Sequence, residues 1–300
     1  MTKKFPIPEN EAARLKALAK YNILDTLPEE EFDRLTKLAS IICGVPIALI
    51  TLIEKDRQWF KSNLGLEGTE TERETSFCQY AIMDNKTFEV NDATQDIRFF
   101  DNPFVTGDPD IRFYAGHPMI DPDGYALGSL CVIDKKAGQL TPDQLKALKL
   151  LAEEVVSQIV SRQKNLEKDK LEKLFNLSFD LICIAGMDGY FKKINPAFTT
   201  TLGWTEVELL SKPFFDYLHP DDIPLVEKEM QKIREGKETV VFESRYKTKK
   251  GETRTIRWGG TTNLETQEIY AIGRYDADRE KWEQELLLSE SKHRNFFENS

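Results

Sequence analysis

The sequence is poor in the residues that build metal centres and disulfide frameworks. It holds four cysteines and three histidines in 300 residues, and Cys43, Cys78, Cys131 and Cys183 lie far apart with no C-x-x-C pair. That spacing argues against a zinc site or a disulfide-stapled scaffold and fits a reducing compartment. A basic excess is also lacking: 41 Lys and Arg stand against 51 Asp and Glu, a net charge of −10. With no surplus cations to displace counterions, nucleic-acid binding through phosphate neutralisation is excluded. The longest apolar stretch, residues 41–53, is interrupted by Gly44 and Pro46 and falls short of the roughly 20 residues that cross a bilayer. Met1-Thr2-Lys3-Lys4-Phe5-Pro6 lacks the apolar segment of about 7 to 15 residues that a secretion signal needs. These absences predict a cytoplasmic protein with no membrane span. No G-x-x-x-x-G-K-[ST] loop and no Gly-Gly-Asp-Glu-Phe signature occurs, so no catalytic residue is expected among these 300.

What is present reads as ordinary globular protein, 40% hydrophobic and 31% charged, and long enough for two domains. Helical spacing marks residues 10–19 through Ala13, Leu15 and Leu18, and residues 29–42 through Phe32, Leu35, Leu38 and Ile42. Strands are predicted at 45–53 and 58–62, a short helix at 75–83, and a short strand at 87–90. Two further strands, 112–120 and 125–133, are joined by Asp121-Pro122-Asp123-Gly124, where Pro fixes φ and Gly supplies φ > 0. From Thr141-Pro142, a cap followed by Pro at the first helical position, one helix is predicted to run to about residue 174. Its apolar residues Leu145, Leu148, Ala152, Val155 and Ile159 keep a 3-4 spacing. So narrow a stripe predicts a homodimer through paired helices, with Val155 and Ile159 in the seam and carrying the signal.

A second module has a different order: strands at 181–185 and 190–194, short helical pieces, a firmer helix at 220–235, then strands at 240–247, 253–262 and 267–275. The fold class is therefore α+β, two domains that each place helices against a central antiparallel sheet. The boundaries are drawn at 1–160, a helical linker 161–173, a second domain 174–279, and a connector 280–300. A repeat supports the modular reading. Phe175 to Ser178 and Phe297 to Ser300 both follow charged helical runs and both read Phe-x-x-Ser, about 120 residues apart, a domain-sized period. A further module is expected to start there.

Longer motifs carry a resemblance. Tyr21-Asn22-Ile23-Leu24-Asp25-Thr26, Asp56-Arg57-Gln58-Trp59-Phe60-Lys61, Ser76-Phe77-Cys78, residues 111–116 and residues 127–134 resemble bacterial GAF domains. Asp188-Gly189, Ile194-Asn195-Pro196-Ala197-Phe198, Leu202-Gly203-Trp204, His219-Pro220-Asp221-Asp222 and Gly251-Glu252 are similar to PAS domains. The resemblance implies the sensory region of a bacterial signalling protein, with a sensor histidine kinase as output and a response regulator as downstream partner. A diguanylate cyclase is the alternative output. PAS domains often end in Asp-Ile-Thr; this chain has Asp276-Ala277-Asp278, which makes Asp276 and Asp278 the candidates for signal exit.

The same resemblance gathers Trp59, Phe77, Cys78, Asp92, Arg98, Arg112 and Tyr114 as candidate ligand contacts. The arginines suit a carboxylate or phosphate but are also placed to pair with Asp92, Asp96 and Asp110. Cys78 reads first as a buried structural cysteine; at a predicted helix start with Arg73 nearby, it is the better candidate of the two for a reactive thiol and the basis of a third reading, a thiol reductase on a GAF fold. Cys131, in Leu130-Cys131-Val132, reads as core. No cofactor is expected. Bilin attachment requires a cysteine beside a histidine, and His117 has none next to it; flavin photochemistry requires a cysteine missing from the segment after Trp204; and His219 reads as helix-start structure rather than a haem ligand. His293 lacks the acidic neighbour of a phosphoacceptor.

Overall fold

The structure is a computed structural model that describes residues 5–235 and 240–275. Asp276, Asp278, His293 and the second Phe-x-x-Ser at Phe297 lie outside the described residues. The chain divides into two compact units, with the break between Glu167 and Lys168.

The first unit begins with α1 (Glu11–Lys20) and α2 (Glu30–Cys43), followed by β1 (Ile47–Ile53), β2 (Arg57–Leu64) and β3 (Glu70–Glu72). Then come α3 (Cys78–Ala81), β4 (Phe88–Val90), α4 (Pro103–Thr106), β5 (Phe113–Ile120), β6 (Ala126–Asp134) and α5 (Pro142–Leu177), whose turns from Lys168 onward belong to the second unit. Six strands form one sheet in the order β3-β2-β1-β6-β5-β4, every neighbouring pair antiparallel. β1 lies at its centre and is buried along its whole length. Alternation along the strand sends Ala48, Ile50 and Leu52 into one core and Ile47, Leu49 and Ile53 into the other, as a period of two requires.

Helices α1, α2 and α5 cover the first of these faces with Leu18, Phe32, Leu35, Ala39, Leu148 and Ala152. Val155 and Ile159 belong to that same core and are fully enclosed. This corrects their assignment to a dimer seam: the 3-4 stripe on the first half of α5 is covered by its own sheet. Each such side chain contributes roughly 1.5–3 kcal/mol by leaving water. The last part of the helix differs, with Leu171, Leu174 and Leu177 all exposed.

The second unit holds β7 (Leu181–Gly186), β8 (Phe191–Ile194), α6 (Pro196–Leu202), α7 (Glu206–Ser211), α8 (Ile223–Arg234), β9 (Val240–Lys247), β10 (Thr253–Asn263) and β11 (Glu268–Tyr275). Its five strands are antiparallel in the order β8-β7-β11-β10-β9. Phe198, Leu202, Leu209, Val226, Met230 and Trp258 are among the residues that fill its core. α6 ends at Gly203, φ 76°, the left-handed conformation that glycine adopts without a Cβ penalty.

The α+β class with two helix-flanked antiparallel sheets and a long helix between them is what the structure shows. Three elements differ in detail. The helix expected at 75–83 is a 3₁₀ turn, Arg73–Thr75, and then the single turn of α3. The helix expected at 220–235 is a 3₁₀ turn, Pro220–Asp222, followed by α8, because Pro224 lacks an N–H and fits only a first helical turn. The edge strand β3, Glu-Thr-Glu, has no apolar alternation to announce it. Among the described residues no helix is long and apolar enough to cross a membrane.

Candidate sensory site

The second face of the six-stranded sheet is where the candidate residues meet. Arg73 directs the chain into α3: its guanidinium donates to the carbonyl of Glu54 at 2.8 Å, to the Glu11 carboxylate at 2.5 Å and to Gln79 Oε1. Ser76 Oγ accepts from the backbone N–H of Gln79 at 3.3 Å. Cys78 is thereby held at the start of α3, facing β5 and β6. Its Sγ lies 3.6 Å from Cys131 Sγ and accepts a hydrogen bond from the Tyr114 hydroxyl at 3.2 Å. All three side chains are buried. Tyr114 reaches the thiol because Gly116 leaves its place open: a Cβ there would sit 2.2 Å from the Tyr114 hydroxyl.

Stacked rings wall the site. Phe77 lies 4.0 Å from Phe99 and 5.2 Å from Tyr114, centroid to centroid. A cavity of about 30 Å³ opens beside Cys78, Tyr114, Phe77, Thr71 and Ile111. The Thr71 hydroxyl is buried without a partner, so the cavity has one unused polar group on its wall.

The two thiols are not equivalent. Burial pushes Cys78 up, but the donors around it outweigh burial, Cys131 first and then Ser129, Thr51 and Tyr114, and hold it below the ordinary thiol value. Cys131 is pushed well up, by burial and then by the neighbouring Cys78. The other cysteines behave as isolated buried thiols: burial pushes Cys43 up to about 11 and Cys183 to about 12.

Phe77, Cys78 and Tyr114 are brought together, and the remaining candidates are placed apart from them. Trp59 belongs to the opposite core with α1, α2 and α5. Arg98 forms two hydrogen bonds to Asp96, at 2.8 and 2.5 Å, and lies 4.7 Å from the centre of the Phe88 ring. Arg112 donates to the carbonyls of Val105 and Ile111 at 2.9 and 3.1 Å and pairs with Asp110 at 2.5 Å. Asp92 closes a local turn by accepting from the N–H and hydroxyl of Thr94 at 3.0 and 2.7 Å. Both arginines are thus used in holding their own loops. Cys131, read as core, is fully buried in the core of this face, and what the reading did not extract is its proximity to Cys78. Its parity on β6 was the available signal, since Ser129 and Cys131 share the face opposite Leu130 and Val132.

In the second unit a cavity of about 50 Å³ is lined mainly by apolar side chains, among them Phe191, Phe214, Met230, Tyr246 and Trp258. Asn195 ties its sheet to the end of α5. Asn195 Nδ2 donates to the carbonyls of Phe175, Ser178 and Asp180 at 3.1, 3.3 and 2.8 Å, and its Oδ1 accepts from the N–H of Ile182 at 3.0 Å. His219 caps the 3₁₀ turn by accepting from the N–H of Asp221 at 3.4 Å. His117 pairs with the Thr87 hydroxyl at 2.8 Å. Among the described residues no cluster of His, Cys, Asp and Glu is arranged to hold a metal ion.

A helix-backed antiparallel sheet with a small cavity occurs twice in succession. Residues 27–159 match the GAF domain model and residues 191–273 match the PAS fold: the chain carries a GAF domain followed by a PAS domain, sensory domains of a signalling protein. It is 40% identical over 172 residues to a cyclic di-GMP phosphodiesterase of Pseudomonas aeruginosa, a match covering 57% of this chain and 29% of that relative. The chain thus spans less than a third of the relative's length. Among solved structures it is similar to the PAS domain of an HTR-like protein from Haloarcula marismortui, at 26% identity over 37% of this chain and 99% of that one, TM-score 0.34. It is also similar to a free methionine-R-sulfoxide reductase from Thermoplasma acidophilum, at 10% identity over 43% of this chain and 90% of that one, TM-score 0.38. Likenesses this distant do not bear on activity.

Proposed function

We propose that this chain is an input region that passes a chemical signal along α5, and that the output it controls is cyclic di-GMP turnover. The observation that carries the transmission reading is α5 itself. It is one uninterrupted helix, Pro142–Leu177, whose first half is core of the GAF domain and whose last turn is hydrogen-bonded by Asn195 of the PAS domain. A change of packing beneath Val155 and Ile159 would then be passed along a helix whose last turn the next domain holds, a device of the helix-shift kind. A second copy covering Leu171, Leu174 and Leu177 would pair two such helices into a homodimer.

What supports cyclic di-GMP over a histidine kinase with a response regulator is the 40% identity to a phosphodiesterase. The two are separated by assaying the intact gene product for hydrolysis of cyclic di-GMP and for autophosphorylation from ATP. Autophosphorylation without hydrolysis overturns the first. Transmission is tested by inserting residues into the helix between positions 161 and 173. Two added residues turn everything beyond them by roughly 200°, whereas seven restore the original face to within roughly 20°. Output should change with two and be retained with seven; equal output from both insertions and the parent overturns transmission through the helix.

A further inference from the structure

We propose that Cys78 and Cys131 are a peroxide-reactive dithiol, Cys78 being the sulfur that meets the oxidant and Cys131 the sulfur that resolves it. The geometry on which this stands is specific. The sulfurs are 3.6 Å apart, so a covalent bond of about 2 Å needs only small rotations of two side chains. Cys78 and not Cys131 lines the cavity of about 30 Å³, enough for one water-sized molecule, and hydrogen peroxide is little larger. The Tyr114 hydroxyl, 3.2 Å from Cys78 Sγ, and the unpartnered Thr71 hydroxyl on the same cavity wall are the groups available to orient a peroxide there. The two sulfurs come from α3 and from β6, next to the central β1, so a bond between them would tie the helical cover to the middle of the sheet.

The chemistry balances with a hydroperoxide as oxidant. The Cys78 thiolate attacks one peroxide oxygen; an S–O bond forms, the O–O bond breaks, and the departing hydroxide takes up the proton that Cys78 released. The Cys131 sulfur then attacks the Cys78 sulfenic acid; an S–S bond forms, the S–O bond breaks, and the second hydroxide leaves as water with the Cys131 proton. Two electrons pass from the dithiol to the peroxide, which ends as two molecules of water. The proposal draws on the sensory reading only for its consequence, since the bond forms or fails to form whatever output the chain controls.

The test uses the whole chain and hydrogen peroxide as the probe. After graded exposure and removal of the oxidant, thiols are counted in denaturant, intact mass is measured, and peptides are mapped without reduction. Two of the four thiols should be lost, with a mass loss of two hydrogens, a peptide linking Cys78 to Cys131, and full recovery with dithiothreitol. In C131S a dione probe should trap a sulfenic acid at Cys78; in C78S the remaining thiols should survive the same exposure. Retention of all four wild-type thiols, or a disulfide joining other cysteines or separate chains, overturns the proposal without a variant having to fold. Equal rates with hydrogen peroxide and the bulkier cumene hydroperoxide would overturn entry through the small cavity.

Discussion

Asn195 reaches back along the chain to the carbonyl of Phe175, 3.1 Å from its Nδ2, and the same side chain accepts from the N–H of Ile182 at 3.0 Å. One amide therefore joins the last turn of α5 to the first strand of the PAS sheet, and at 1% exposure it has little water to replace it. Asn195→Ala should cost the PAS domain about 2 kcal/mol, because it leaves the N–H of Ile182 without its acceptor and removes the donor to the carbonyls of Phe175, Ser178 and Asp180. Asn195→Asp should cost more. A carboxylate still accepts from Ile182 but sets a negative charge against three carbonyl oxygens. Denaturant titrations of the two variants decide this, and an aspartate variant as stable as wild type would contradict the assigned hydrogen bonds.

Glu11 sits between two buried arginines, 2.8 Å from Arg14 Nε and 2.5 Å from Arg73 Nη1. Burial pushes its carboxyl up, but the hydrogen bonds from Arg14 and Arg73 outweigh burial and bring it from near 4.5 down to about 2. A carboxyl lowered in the folded state adds stability that is complete above its unfolded value and disappears as pH falls through the folded one. The contribution, about 1–2 kcal/mol once solvent screening at this part-exposed carboxylate is allowed for, should therefore be present at pH 5 and above and vanish between about 4.5 and 2. Glu11→Gln should lower stability at neutral pH by a similar amount, since it strands two buried guanidinium groups, and should flatten the acid limb of the stability curve. Melting temperatures from pH 7 down to 2 measure both effects; an unchanged acid limb in the variant would rule out Glu11 as the source.

Much of this fold was legible because its signals are local. The apolar run at 45–53 became a strand buried on both faces, and the Pro-Asp-Gly turn delivered the hairpin of β5 and β6. The site was harder to read. Phe77, Cys78 and Tyr114 were gathered by resemblance, but Trp59, on β2 of the same sheet, points to the opposite face, and the two arginines are bound to neighbouring loops. A sequence shows that Arg98 and Arg112 are cationic; it does not show which acceptor, Asp96 or an absent ligand, they meet. Cys131 was legible as core and is core, but its approach to Cys78 on α3, more than fifty residues earlier, carries no local signal. The stripe on α5 was ambiguous in principle: a 3-4 spacing states which face of a helix is apolar and says nothing about what covers it.

Tyr114 donates to Cys78 at 3.2 Å, and it is one of several donors that favour the ionised thiol. Tyr114→Phe removes one of them while keeping the ring against Phe77, so the pH profile of Cys78 modification should move to higher pH with only a small change in melting temperature. Gly116→Ala should act through the same hydroxyl by a different route. The added methyl would lie 2.2 Å from that oxygen, which forces the ring to shift and costs about 1–3 kcal/mol by overpacking. Site-resolved alkylation followed by mass spectrometry gives the profile. If Tyr114→Phe left it in place, the hydroxyl would be shown to pack beside the thiol without influencing it.

Two sets of apolar residues on α5 make opposite predictions about association. Val155 and Ile159 are enclosed in the GAF core, so Val155→Asp should unfold that domain or cost it at least about 3 kcal/mol, because it buries a carboxylate with no partner. Leu171 and Leu174 are exposed, at 67% and 68%, and replacing both with Glu should leave each domain's stability nearly unchanged. If paired helices carry the signal, the leucine variant should sediment as a folded monomer where the parent sediments as a dimer. A parent that remains monomeric at high micromolar concentration would remove the paired-helix part of the reading and leave transmission along a single helix. A leucine variant that stays dimeric would move the interface to another surface.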